Sequence, residues 1–196
     1  MKINFFDTNS YFIDEKVNIL KFENCYQVFD DKGDEIGSIN QKLTIGQKIL
    51  RLLLNKAMLP FRLEIRNNNN ELLSSINRGW TFFMSTITIQ DSDDKPIGFI
   101  KQKFKLLKPT FNIFDTSENL ISVITGDWKA WEFVIKNSKD DQVGTISKKW
   151  AGAMKEIFTS ADKYNVNINP DFAKDTVKTV VVSAAITIDM VLKERK

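Results

Sequence analysis

Apolar and polar positions alternate along most of this chain in short runs, and the runs come in pairs joined by polar turns. Tyr26–Asp30 leads through Asp31–Glu35 to Ile36–Ile39, and Phe61–Ile65 leads through Asn67–Asn70 to Leu72–Ile76. Thr86–Gln90 leads through Asp91–Lys95 to Ile97–Ile100, and Phe111–Phe114 through Asp115–Asn119 to Leu120–Ile124. Phe133–Ile135 leads through Asn137–Gln142 to Val143–Ile146. Period-two alternation marks strands with one buried face, and the Asp/Asn/Gly/Ser clusters mark turns. Successive hairpins of this kind make a β-meander. Further strands are predicted at Lys2–Phe6, Val17–Phe22 and Tyr164–Ile168.

The pattern changes after residue 175. In Thr176–Leu192 the apolar residues Val177, Val180, Val181, Ala184, Ala185, Ile188, Val191 and Leu192 recur at steps of three and four, which places them on one helical face. Val182, Ile186 and Met190 cover the other side. A helix apolar all round is either a membrane span or wrapped by protein. A span needs about 20 mostly apolar residues, and here Lys178 and Asp189 cut the uncharged run to Thr179–Ile188. A charge near the bilayer centre costs roughly 2.5–3.5 kcal/mol on insertion scales. The β-branched content alone also suits a core strand, but length and spacing favour a buried helix at about residues 173–193.

A long meander removes its exposed edges by closing into a barrel. With about a dozen strands, the lumen holds more than side chains. The fold class expected is therefore mainly β (α+β): a closed antiparallel barrel of about twelve strands around a central apolar C-terminal α-helix, all in one domain. Two other segments read as helical. Gly46–Leu59 carries Ile49, Leu52, Leu53 and Leu54 before Pro60, and is read as a connection with an apolar anchor in preference to an amphipathic membrane-surface helix. Gly152–Phe158 reads as a short helical turn.

Composition narrows the chemistry. The 196 residues carry a net charge of +3, too little to draw the whole molecule to nucleic acid. There is no histidine and one cysteine, Cys25. That excludes Ser-His-Asp and Cys-His nucleophilic sites and His/Cys zinc sites. It also excludes an intramolecular disulfide, which fits a reducing compartment. The glycines are scattered and form no phosphate loop. No secretory signal is expected in Met1–Lys16, where Asp7, Asp14 and Glu15 interrupt any apolar core. An enzyme is not expected.

Val143–Asp162 (VGTISKKWAGAMKEIFTSAD) resembles the phospholipid scramblase signature at Val143-Gly144, Ile146–Lys148, Trp150, Gly152, Glu156, Phe158-Thr159 and Ala161-Asp162. The resemblance extends through Ile97-Gly98, Gln102, Pro109, Phe111, Ile113, Gly126, Pro170, Asp171, Lys178 and Ile188-Asp189. That family is similar to the LURP-one-related and tubby C-terminal domains, which implies a barrel of about a dozen strands around an apolar helix, the shape the meander suggests by itself. The resemblance also implies a calcium segment at Ser160–Asp171, with Asp162 and Asp171 as its carboxylates. Calcium takes about six to eight oxygen ligands, and Asn165, Asn167 and Asn169 supply neutral oxygens beside an unhelpful Lys163. A polar loop leading into the helix is the preferred reading, and no cofactor is expected. The cysteine cluster of animal scramblases, a palmitoylation site, has no counterpart at Leu50–Phe61.

Charge follows the repeat. The turns are acidic at Asp30, Asp31, Asp34, Glu35, Asp91, Asp93, Asp94, Asp115, Glu118, Asp140 and Asp141. The second strands end in basic or aromatic residues: Lys42, Arg78, Trp80, Lys101, Lys103, Trp128, Lys148, Lys149 and Trp150. A meander puts hairpin turns at one rim and connections at the other, so a bipolar barrel is expected. Lys101, Lys103, Lys148, Lys149 and Trp150 are the candidate residues for binding an anionic phospholipid membrane surface, since Lys with Trp suits a headgroup layer. A cytoplasmic location with peripheral membrane contact follows from this reading. The alternative is a soluble scaffold barrel with protein partners and no lipid function.

Overall fold

The computed structural model describes residues 5–18, 23–55, 58–80, 86–103, 108–149, 163–172 and 176–193. Twelve strands and two helices follow one another: β1 (Ser10–Asn18), β2 (Glu23–Phe29), β3 (Glu35–Lys42), α1 (Ile45–Leu53), β4 (Phe61–Asn67), β5 (Leu72–Arg78), β6 (Thr86–Asp91), β7 (Pro96–Lys103), β8 (Thr110–Phe114), β9 (Leu120–Asp127), β10 (Glu132–Asn137), β11 (Gln142–Ser147), β12 (Lys163–Ile168) and α2 (Thr176–Lys193). Each strand pairs antiparallel with the next, and β1 pairs with β12, which closes the barrel. Every described strand thus has two neighbours and no open edge.

The alternation sets which side chains enter the lumen. Ile39, Ile65, Ile76, Ile89, Ile113, Ile124 and Ile135 are fully buried on β3, β4, β5, β6, β8, β9 and β10. Register brings them side by side: Ile39 faces Ile65, Ile76 faces Ile89, and Ile124 faces Ile135. Cross-strand β-branched pairs of this kind are the unit of sheet stability.

The lumen is filled by α2. Val181, Val182, Ala184 and Ala185 are fully buried, and Val180, Ile186, Ile188 and Val191 nearly so. A buried Val or Ile contributes about 1.5–3 kcal/mol, so this helix is a large part of the core. Small residues set how close it comes. A Cβ on Gly98 of β7 would lie 2.7 Å from Val180 Cγ1, so only glycine fits there. Two polar contacts hold α2 inside: Thr187 Oγ1 donates to the Ser183 carbonyl (2.6 Å), and Tyr164 on β12 donates to the Ile186 carbonyl (2.8 Å). Lys178, one of the charges that argue against a membrane span, donates to Asn9 Oδ1 (2.9 Å) at the mouth. Among the described residues, no helix is long and apolar enough to cross a membrane.

Three expectations need correction or limits. Of the strands expected at Lys2–Phe6 and Val17–Phe22, residues 1–4 and 19–22 lie outside the described set; Phe5 and Phe6 lie in a turn, and Val17 and Asn18 end β1, which begins at Ser10. The charged run Asp14-Glu15-Lys16 hides β1 from a hydrophobicity reading. The structure tolerates it because Lys163 on β12 holds the Asp14 carboxylate (3.5 Å). The helix expected at Gly46–Leu59 ends at Leu53. Leu54 turns extended (φ −121°, ψ 157°) while its N–H still reaches the Leu50 carbonyl (2.8 Å), so Pro60 is not the stop. The turn expected at Gly152–Phe158 lies outside the described residues.

Candidate functional site

The two ends of the barrel are built differently. At one end, five hairpin turns share one device. Each begins with an Asp or Asn whose Oδ1 accepts the backbone N–H groups two and four residues on. Asp91 accepts from Asp93 and Lys95 (both 2.9 Å), and Asn137 from Lys139 (2.9 Å) and Asp141 (3.0 Å). Asp30, Asn67 and Asp115 do the same. The fourth residue is left-handed: Gly33, Asn70, Asp94, Glu118 and Asp140 have φ of 61–85°. This is the type I turn with a bulge that suits a twisted hairpin, and it selects Asx and glycine. The Asn119 side chain and the turn N–H groups hold the Asp115 carboxyl below its ordinary value. Much of the acidity of this turn rim therefore has a structural cause.

The opposite, connection rim carries α1. Its start is fixed by a capping box: Thr44 Oγ1 accepts the Gln47 N–H (3.2 Å), and Gln47 Oε1 accepts the Thr44 N–H (2.8 Å). Ile45, Ile49, Leu52 and Leu53 then fall at steps of four, three and one, on a single helical face. That face points to solvent: Ile45 is 80% exposed and Leu53 75%, with Ile49, Leu52, Leu54 and Met58 also exposed. A core helix turns such a stripe inward. Contiguous exposed apolar surface is a mark of an interaction site.

A cleft of about 690 Å³ opens at the foot of α1, between its N-terminal turn and the ends of β4, β5 and β6. Lys42 and Arg62 face it from outward positions of β3 and β4, with Thr44, Gln47, Asn77, Thr86 and Thr88, and Arg78, Pro60 and Phe61 border it. Arg78 is nearly buried. Its Nη2 donates to the Leu59 carbonyl (2.7 Å), and its guanidinium lies 4.5 Å from the centre of the Phe61 ring. Those contacts tie the segment after α1 to the end of β5. Trp80, two residues beyond Arg78, is 55% exposed.

Outward side chains of β4 support the cleft from the wall. Glu64 accepts from Arg62 (3.2 Å) and Arg66 (2.8 Å), with Lys42 at 3.9 Å. Burial alone would push the Glu64 carboxyl up, but the Arg66 and Arg62 guanidiniums outweigh it and hold it below its ordinary value. Burial likewise opposes the charge on Arg62, and Asp94 (2.8 Å) and Glu64 overcome it, so its pKa rises. Arg62 is thus held in place at the cleft wall.

The expected headgroup residues do not gather at one point. The Lys101 ammonium turns toward the acidic rim, 3.5 Å from Glu118 and 4.9 Å from the centre of the Phe114 ring. Lys103 is exposed at the end of β7. Four strands away, just past β11, Lys148 lies over Trp131 (4.7 Å) and Lys149 pairs with Glu132 on β10. Trp128 and Trp131 pack partly buried against the core. Trp150 and Asp162 lie outside the described residues, and Asp171 is exposed in a turn. Among the described residues no group of three or more acidic or cysteine side chains is placed to hold a metal ion. Lys42, Arg78 and Trp80 stand out in the sequence as strand ends, whereas Arg62 and the outward direction of α1's stripe carry no such signal.

A family model described as Scramblase matches residues 13–195, nearly the whole chain. The chain belongs to the Scramblase family. It is 29% identical to phospholipid scramblase 1 of Homo sapiens over 150 residues, covering 69% of this chain and 46% of that protein. It is 22% identical to a phospholipid scramblase family protein of Schizosaccharomyces pombe over 153 residues, covering 72% and 39%. Against phospholipid scramblase family member 5 of Homo sapiens it is 24% identical over 146 residues, covering 67% and 54%. The chain thus matches about half or less of the length of these curated relatives. In fold, this scramblase-family barrel is similar to a crystal structure of a protein from Arabidopsis thaliana, with a TM-score of 0.52 at 8% identity, covering 92% of this chain and 91% of that one. The tubby-like barrel implied by the resemblance is the architecture found.

Proposed function

We propose that this scramblase-family domain binds reversibly to the surface of anionic phospholipid membranes, with α1 as the element that enters the headgroup layer. One observation carries the reading: an apolar helical face turned to solvent directly beside a cleft that Lys42 and Arg62 face from the outer wall. An interfacial helix buries its apolar face at the headgroup–acyl boundary while adjacent cations meet the anionic lipids. Each cation near a charged membrane contributes about 1 kcal/mol, and each buried leucine about 1.5–3 kcal/mol. With α2 filling the lumen, the barrel axis is not a passage, so the lipid contact belongs on the outside.

Co-sedimentation of the full chain with vesicles tests this. Vesicles containing phosphatidylserine are expected to take the protein down at low salt and less of it at high salt, while neutral phosphatidylcholine vesicles take down little. Retention in the supernatant with every vesicle would overturn the reading and favour a scaffold barrel whose α1 face meets a protein. Parallel runs with calcium and with chelator test a metal requirement at the segment holding Asp162 and Asp171.

A further inference from the structure

We infer that Trp80 is a second bilayer anchor, fixed beside α1, and that the domain docks by its connection rim with the acidic turn rim turned away from the lipid. This rests on the membrane-surface reading and adds to it a residue and an orientation.

Single exposed apolar side chains are ordinary, but a group of them on one side marks an interaction surface. Among the described residues, the exposed large apolar side chains gather at one end of the barrel. Ile45, Ile49, Leu52, Leu53, Leu54 and Met58 belong to α1 and the segment after it, and Trp80 follows β5. Leu120 alone follows a hairpin turn at the other end. Trp80 also differs from the tryptophans nearby in the fold. Trp128 and Trp131 pack against the core, Trp131 on the Phe133 and Tyr164 rings. Trp80 is 55% exposed. An indole has an apolar body and one N–H donor, which suits the headgroup level of a bilayer.

The fold fixes Trp80 relative to α1. Phe61, which opens β4, faces Arg78, which ends β5. The chain beyond Arg78 therefore leaves the wall where the chain from α1 enters it. Arg78 closes this joint, since its Nη2 donates to the Leu59 carbonyl (2.7 Å) and its guanidinium lies over the Phe61 ring. The Leu59 side chain is itself buried, so the segment is pinned by backbone and side chain together. Thr44 and Gln47, which cap α1, border the same cleft as Gly79, the neighbour of Trp80. A lone interfacial helix leaves the barrel free to roll about the helix axis. A second contact in the same rigid body stops that roll and adds its affinity to the first.

Charge sets the same orientation. The turns at Asp30, Asp91, Asp115 and Asn137 each carry more carboxylates than lysines, and an anionic lipid surface repels them.

The full chain is bound to phosphatidylserine vesicles that contain a lipid brominated in the upper acyl chain. Bromine is expected to quench part of the tryptophan emission of the wild type, and Trp80→Phe is expected to lose that part. Trp80→Ala is expected to weaken binding about tenfold, by the same factor at low and high salt, because apolar burial is not screened. Both variants change an exposed side chain, so both are expected to unfold at the wild-type temperature. Orientation is read by acetylating lysines in free and vesicle-bound protein and mapping them by mass spectrometry. Lys42 and Lys103, which end β3 and β7, are expected to be protected by vesicles. Lys32 and Lys95, in the turns before the same strands, are expected to react as in free protein. Equal reaction at the two ends of these strands, or stronger protection at the turn ends, overturns the orientation. Unchanged quenching in Trp80→Phe, or unchanged affinity in Trp80→Ala, removes Trp80 from the bilayer and leaves the α1 reading standing. Failure of the wild type to bind the vesicles overturns both readings.

Discussion

Both helices carry an apolar stripe, yet twelve strands wrap α2 while α1 turns its stripe to solvent. Of the two, α2 is longer and has apolar residues on every side, so by composition it is the one that suits a membrane. In the barrel it is the core, with the Thr187 hydroxyl and the Lys178 ammonium partnered inside. The helix α1 is half as long and has a polar side, and it is the one left uncovered. Hydrophobicity measures how much a segment gains from leaving water. It does not name what replaces the water, and in this molecule the lumen has room for one helix.

That contrast breaks or sharpens under mutation. Ala185→Asp places an unpartnered charge in the lumen and is expected to cost about 3–5 kcal/mol in urea unfolding. Ile49→Asp on α1 should stay within about 0.5 kcal/mol of wild type. Equal costs would mean that α1 is covered in solution. The reverse ordering is expected at membranes. Leu52→Asp with Leu53→Asp should weaken binding to anionic vesicles about tenfold or more, from the loss of two inserted side chains, at an unchanged unfolding midpoint. Preserved sedimentation would remove α1 from the interface.

The wall beside the cleft gives a smaller effect. Glu64→Gln is expected to cost about 1–3 kcal/mol, because Arg62 and Arg66 lose a charged acceptor. The pH dependence has a definite sign. The Glu64 carboxyl is held below its ordinary value in the folded state. Its contribution is therefore complete above the unfolded value of about 4.3 and is lost as pH falls through the lower folded value. Unfolding curves across that acid range should fall less steeply for Glu64→Gln than for wild type, and parallel curves would contradict the assignment. Smallest of all, Asn137→Ala removes three turn hydrogen bonds at the far, exposed rim, for about 1 kcal/mol. Lys139→Ala in the same turn should cost nothing measurable by thermal unfolding.

Much of the barrel was legible in the chain. Five hairpins repeat one alternation and one turn chemistry, and the turn chemistry is local: an Asx side chain bonds its own backbone two and four residues on. The strand β1 was not legible, because Asp14 is tolerated through Lys163, some 150 positions away in the chain. The candidate site was legible only in pieces. Lys42, Arg78 and Trp80 stand out as strand ends, but nothing in the spacing says that Arg62 joins Lys42 on the outer wall. Lys101 shows the opposite error: its place in β7 suggests the connection rim, and its long side chain reaches back to Glu118.

The sequence by itself determined the period-two strands, the turns, the C-terminal helix and the closed barrel they imply, since each depends on residues near in the chain or on a face that must be buried. Only the tertiary structure decided which apolar surface was left over. Closure uses up the strand edges, and α2 uses up the lumen. The stripe on α1 then stays exposed, and it lies beside Lys42 and Arg62, which come together only in the folded barrel.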